Sequence, residues 1–187
     1  NGDIIGHTLS ESAKVSAAEH VSQQLERLVE KAKAEDYVVV ITADHGNLEV
    51  MTTGDGKPDM AHTRNLVPFI LIDPRHEGPL PLQDGSLCDV APTILSVMGL
   101  PKPDEMTGKS LTQHKAFGHR RKVLLVILDG WGFGAADKTN PIYLAHTPYW
   151  DSLVASYPPS ALHASDGFVG LGEGKPGNSE AGHLNLG

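Results

Sequence analysis

Apolar residues recur at Val15, Ala18, Val21, Leu25, Leu28, Val29 and Ala32, and this spacing predicts one long amphipathic helix from about Ser10 to Ala34. Thr8 and Glu11 stand at the spacing of a capping box ahead of it, and its Glu, Lys, Gln and Arg positions read as a solvated face. The period then changes. Residues 37–42 and 67–72 are continuous apolar runs, the pattern of strands buried on both faces. Asp89 opens a short helix with Pro92 in its first turn and Gly99 at its end. Residues 101–118 are rich in Pro, Lys and polar side chains, lack periodicity and read as a loop. The run 123–128 is again wholly apolar and predicts a strand, and Thr147-Pro148 opens a helix that continues through Ala155. From Gly167 to Gly187 the chain is dense in glycine.

Strands alternating with helices define an α/β class, with a mostly parallel sheet covered by helices on both faces. In such a sheet the chemistry gathers beyond the carboxyl ends of the strands. Two of the predicted strands end in acid, one at Asp44-His45 and the other at Asp129-Gly130. A length of 187 residues suits one domain. With 40% hydrophobic and 20% charged residues, the composition excludes global disorder. No apolar run is long enough to cross a bilayer and the start does not read as a signal peptide, so no membrane partner is expected. Cys88 is the single cysteine, which rules out an internal disulfide and suggests a reducing, cytoplasmic location. The formal charge of −8, without a basic block, argues against nucleic acid as a partner. An acidic chain that handles phosphate must draw its positive field from a few local cations or from metal.

Four fragments place Asp and His in loops: Asp3 with His7, Asp44 with His45, His62, and Asp129. Taken singly, such a fragment reads first as a polar turn, because Asp, Gly and Asn are ordinary turn residues. Jointly they make the ligand set of Mn²⁺, Zn²⁺ or Fe²⁺, and three Asp with three His would serve two ions. Two divalent ions clamp the attacking and leaving oxygens of a phosphoryl transfer. Ser179 lies between small residues and is either a capping serine or an activated nucleophile. His20 and His76 read as surface residues, and Trp131 and Trp150 as packing. His183 is open between a site and a core role. Arg64, Arg75 and Lys175 are the cations near the ligand loops.

The segments "VILDGWG", "GNSEAGHLNLG", "NGDIIGHT", "ITADHGN", "AHT" and "EMTGKSL" resemble the metal-binding half of the cofactor-independent phosphoglycerate mutases, of the alkaline phosphatase superfamily. The resemblance implies an alkaline phosphatase-like fold. One metal would be held by Asp3, His7 and His62, and the other by Asp44, His45, Asp129 and Ser179. Ser179 would then be the phosphorylated catalytic nucleophile. Mn²⁺ is the first expectation for both ions, with Mg²⁺, Zn²⁺ and Co²⁺ as alternatives. The reaction implied interconverts 3-phosphoglycerate and 2-phosphoglycerate in glycolysis, with phosphoglycerate as the small-molecule partner and the chain a monomer. The order of motifs is rotated relative to the family: residues 1–112 match its carboxyl-terminal part and 122–187 its amino-terminal part, with a join at 113–121. The family's substrate-clamping segment falls between "HLNLG" and "NGDIIGHT" and is not in this sequence. Two alternatives follow: a metal-dependent phosphomonoesterase, or a metal-binding chain without catalysis.

Overall fold

The chain begins with a short helix, α1 (Gly2–Gly6), and turns into α2 (Glu11–Ala34). A computed structural model describes residues 2–53, 55–113, 117–118 and 121–187. Ser10, not Thr8, caps α2: its hydroxyl accepts from Ala13 N at 3.2 Å, while Thr8 donates its own to Ile5 O. Ala18, Leu25, Val29 and Ala32 are buried as the spacing predicts, but Leu28 is exposed and Lys14 and Ser22 are buried in its place. Lys14 departs from the expected solvated face because its ammonium donates to Asp59 O at 2.9 Å and Val50 O at 3.3 Å. Burial pulls the pKa of this amine down, against the charges of Asp59 and Glu49.

The remaining elements are β1 (Tyr37–Thr42), β2 (Val67–Ile72), β3 (Gly85–Ser86), α3 (Val90–Met98), β4 (Lys122–Ile127), α4 (Pro141–Leu144), α5 (Pro148–Ser156), β5 (Ser160–His163) and α6 (Ser179–Leu186). The five strands form one sheet in the order β3-β5-β2-β1-β4. The α/β class is the one read from the sequence, with a mixed sheet. β1 runs parallel to β4, and β3 to β5, whereas β2 is antiparallel to both of its neighbours. Continuous apolar runs mark burial on both faces and carry no direction, so the expectation of mostly parallel pairing gives way to an even split. Successive strand residues face opposite sides, and Val38 through Ile41 are all fully buried, so both faces of the sheet are covered. α2 packs with α1, α4 and α5, while α3 and α6 gather around the 3₁₀ turn Leu87–Asp89.

The parallel register of β1 and β4 positions the site. Thr42 pairs with Ile127, and Leu128 N donates to Thr42 O at 2.8 Å. Asp44 and Asp129 each follow two residues later, so both carboxylates leave the sheet side by side. The two stretches on either side of the expected join therefore share one sheet.

Two described residues of the join are tied to the core. His114 and His119, which fall in the expected join at 113–121, lie outside the described residues, but Phe117 and Arg121 are both about 3% exposed. The Arg121 guanidinium grips buried Asp73 through two nitrogens, at 2.7 and 3.1 Å, and also donates to Phe117 O. Burial pushes the Asp73 carboxyl up, but the Arg121 hydrogen bond, the Arg75 backbone N–H and the two guanidinium charges outweigh it and hold the pKa below the usual value. A folded-state pKa below the unfolded one stabilises the fold above the unfolded value of about 3.9, and that stability is lost as pH falls through the folded pKa. Asp73→Asn is expected to cost about 3–5 kcal/mol at neutral pH, the penalty for breaking a buried ion pair. Urea unfolding at neutral pH and again well below pH 4 checks this: the gap between variant and parent must close in acid.

Candidate metal centre

Three loops and two helices bring the site together at the carboxyl ends of β1 and β4. Asp44 and His45 follow β1, Asp129 follows β4, and His62 lies in the long return to β2. α1 carries Asp3 and ends just before His7, and α6 begins at Ser179. Two close approaches depend on glycine. A Cβ on Gly182 of α6 would lie 2.5 Å from Asp44 O, and one on Gly130 (φ 79°) would lie 3.0 Å from the Asp3 Cα. Small residues here let the helix and the amino-terminal turn settle directly on the two strand ends.

All seven sequence-predicted residues meet in this one place. Asp3 Oδ1 lies 3.3 Å from His7 Nε2 and 3.2 Å from His62 Nε2, and those two nitrogens are 3.0 Å apart. On the other side, His45 Nε2 lies 3.4 Å from Asp129 Oδ1, 3.7 Å from Asp44 Oδ2 and 3.0 Å from the Ser179 hydroxyl. Ser179 donates to Asp129 Oδ1 at 3.5 Å. The grouping differs from the expected one in one respect. Asp3 also converges on His45 and Asp129, all within 4.8 Å, so its carboxylate stands between the two clusters, while Asp44 joins neither of the tight trios.

The hydrogen bonds around the histidines fix their orientation. His7 Nδ1 faces Met60 O at 2.7 Å and His62 Nδ1 faces Gly177 O at 2.8 Å, while His45 Nδ1 faces Gly46 O at 3.3 Å. A carbonyl only accepts, so each imidazole, when neutral, carries its proton on Nδ1 and turns its Nε2 lone pair into the cluster. This is the arrangement that orients imidazoles toward metal. His45 and His62 also stack, with ring centroids 4.1 Å apart.

Asp44 supplies the sharpest electrostatic evidence. It is fully buried, and its Oδ1 accepts from the backbone N–H groups of His45 at 3.0 Å and Gly130 at 3.3 Å. Its Oδ2 is buried with no hydrogen bond at all. His183 Nδ1 stands 3.3 Å from that oxygen, but its proton goes to Ser179 O at 2.8 Å. His183 is thus half exposed at the edge of the site, bonded to its own helix. Burial pushes the Asp44 carboxyl up; His45 opposes this and the charge of Asp129 adds to it. Burial pulls the His45 imidazole down, yet the Asp129 hydrogen bond and the Asp44 charge prevail, and its pKa is raised. An orphaned carboxylate oxygen, three acids and three inward-facing imidazole nitrogens suit a cation. Two donors on one divalent ion, each at about 2.0–2.2 Å, stand about 3–3.5 Å apart, and the edges of both clusters fall in or close to that range. The residues present fit divalent metal.

Two residues escaped the sequence reading. Asn47 donates from Nδ2 to Asp3 Oδ1 at 2.7 Å, tying the β1 loop to α1. Glu49 is 1% exposed, and its carboxylate accepts from Asn47 N, Gly132 N, Asn65 Nδ2 and the Thr63 hydroxyl. The available signal was a lone acid between Leu48 and Val50 in an apolar stretch just beyond a buried strand. Of the nearby cations, Arg64 pairs with Asp166 and Arg75 with Asp36, the latter outside the site. Trp131 and Trp150 pack edge to face in the core.

This fold and this cluster of candidate ligands are those of a metalloenzyme. The profile of the metalloenzyme superfamily matches residues 1–102 and 121–187, and the chain belongs to that superfamily. The chain is similar to proteins named 2,3-bisphosphoglycerate-independent phosphoglycerate mutase. That of Moorella thermoacetica is 47% identical over 111 residues, covering 59% of this chain and 21% of the relative. The Synechococcus elongatus protein is 45% identical over 124 residues, covering 63% and 23%, and the Brugia malayi protein is 46% identical over 111 residues, covering 58% and 22%. The chain spans about a fifth of the length of these curated relatives. No helix among the described residues is long and apolar enough to cross a membrane.

Proposed function

We propose that the chain carries the phosphoryl-transfer centre of a phosphoglycerate mutase, acting through a phosphoserine on Ser179. The observation that supports this most is the position of the Ser179 hydroxyl between His45 Nε2 and Asp129 Oδ1, at 3.0 and 3.5 Å, while Asn178 takes over the capping of α6 by accepting from Ala181 N. The cap is supplied by a neighbour, so the serine is free for chemistry. Asp3, His7 and His62 would hold one divalent ion, and Asp44, His45, Asp129 and Ser179 the other. When bound, the ions neutralise the phosphoryl oxygens and lower the pKa of the serine hydroxyl. The protein's part is positioning. Asp129 Oδ1 accepts the hydroxyl proton as Ser179 Oγ bonds to phosphorus and the ester P–O bond breaks, and it passes that proton to the leaving alcohol oxygen. The phosphoryl group then passes from Ser179 to the oxygen of an acceptor, whose proton returns through Asp129 to Ser179 Oγ as the serine leaves.

A mutase must deliver that group to a second hydroxyl of the same molecule and keep water away meanwhile. His7 is half exposed, with 46% of its side chain open to solvent. Solvent therefore reaches this face, and these residues by themselves should act as a slow metal-dependent phosphatase. Mn²⁺ is the preferred ion, and a soluble, cytoplasmic monomer remains the expected setting. The test is Ser179→Ala. The variant should keep the parent's unfolding midpoint in the absence of metal, and should yield no phosphoserine by mass spectrometry after exposure to phosphoglycerate and Mn²⁺. Phosphoserine labelling that persists in Ser179→Ala would place the nucleophile elsewhere. Release of free phosphate by the parent chain, without isomerised product, is expected alongside.

A further inference from the structure

Beside the His7–His62 face lies an open groove of about 650 Å³, and Lys175 lies on its wall together with Leu171, Pro176 and Asn178. The walls are otherwise mostly apolar, and none of the lining residues is acidic. Lys175 differs from the other cations near the ligand loops. Arg64 and Arg75 are each engaged by a carboxylate. Among the described residues, no ion pair or hydrogen bond occupies the Lys175 side chain, although the protein carries a net charge of −8. Its backbone is fixed nonetheless: Lys175 N donates to Gly172 O at 3.2 Å, and Lys175 O accepts from Asp166 N at 3.0 Å. Two residues on, Gly177 O holds the Nδ1 of His62. The Lys175 Cα is thus within about 7–8 Å of the residue that orients a candidate ligand.

We propose that Lys175 binds the non-transferred anionic end of the substrate, a carboxylate on the tail of the phosphate ester. The inference rests on the phosphoryl-transfer reading above and adds a contact to it. The groove is bounded by Asn178, next to Ser179, so an ester whose phosphoryl group sits at Ser179 can extend its tail along it. The apolar wall contributes little to holding a charged tail there, and an unpaired ammonium supplies the missing attraction. A single ammonium is a point charge on a flexible stem, so it selects for charge rather than for the bidentate geometry an arginine would read. The contact is solvent-exposed and is weakened by salt.

Calorimetry on the Mn²⁺-loaded chain tests it, with 3-phosphoglycerate and glycerol 3-phosphate as probes, since they share the phosphate and differ in the carboxylate. The parent should bind 3-phosphoglycerate about 5–10-fold more tightly at low salt, a preference suited to one charge-assisted contact. Lys175→Met should abolish the preference and leave the affinities for glycerol 3-phosphate and Mn²⁺ unchanged. A preference that survives in Lys175→Met, its absence in the parent, or equal weakening of both esters overturns the proposal. If neither ester nor inorganic phosphate binds the loaded parent, the phosphoryl-transfer reading fails too. If esters bind without discrimination, only the Lys175 assignment falls.

Discussion

Saturating Mn²⁺ should raise the unfolding midpoint of the chain by about 5–15 °C, and excess chelator should reverse the rise. An ion that binds only the folded state stabilises it by about 2.7 kcal/mol at a hundredfold excess over its dissociation constant and about 4.1 kcal/mol at a thousandfold. In a chain of this size, each kcal/mol moves the midpoint by about 2–4 °C. The expectation has a structural cause beyond mass action. Asp44 is buried with one oxygen bare, and Asp129 and Asp3 crowd the same imidazole nitrogen. Without a cation the fold must hold these charges against one another. Calorimetric scans with and without Mn²⁺, paired with metal analysis of the purified protein, check it. An unchanged midpoint together with less than one ion per chain would sink the metal centre.

The meeting of Asp44 and Asp129 at the carboxyl edge was legible because two apolar runs each end in an acid, and a parallel register needs nothing more to bring them together. Other features were hidden for physical reasons. The direction of β2 is set by the loop carrying His62, which returns the chain antiparallel, and an apolar run looks the same in either direction. α1 is five residues long, too short to establish a period. Lys14 occupies a position where charge normally signals solvent, and its acceptors are carbonyls 36 and 45 residues away. The capping role of Asn178 could not be separated from that of Ser179 by composition alone, since both residue types cap helices. Only the hydrogen bond from Ala181 N to Asn178 Oδ1 divides the labour between them.

Glu49 yields the second large prediction, because it joins the loops rather than touching the clusters. One carboxylate oxygen accepts from Asn47 N at 2.8 Å and Gly132 N at 3.2 Å, which belong to the loops after β1 and β4. The other accepts from Asn65 Nδ2 at 2.9 Å and from Thr63, next to His62. Three loops that carry candidate ligands therefore meet on a single buried side chain. Glu49→Ala removes both acceptors at once. Each buried donor left without a partner costs about 1–3 kcal/mol, and with partial rescue by water the loss should total about 3–5 kcal/mol in urea unfolding. Mn²⁺ affinity should fall by about 10–100-fold, as it does when outer-shell partners of metal ligands are lost. Glu49→Gln keeps the shape and separates packing from charge. Its amide can accept on one side only, and its NH₂ must face either the two backbone N–H groups or the Thr63–Asn65 pair. It should fold yet still bind Mn²⁺ more weakly than the parent. Calorimetric titration of Mn²⁺ into both variants decides the matter: parental affinity in Glu49→Gln, with Glu49→Ala losing less than about 1 kcal/mol, would reduce Glu49 to an incidental buried acid and leave the loops held by their own backbone contacts.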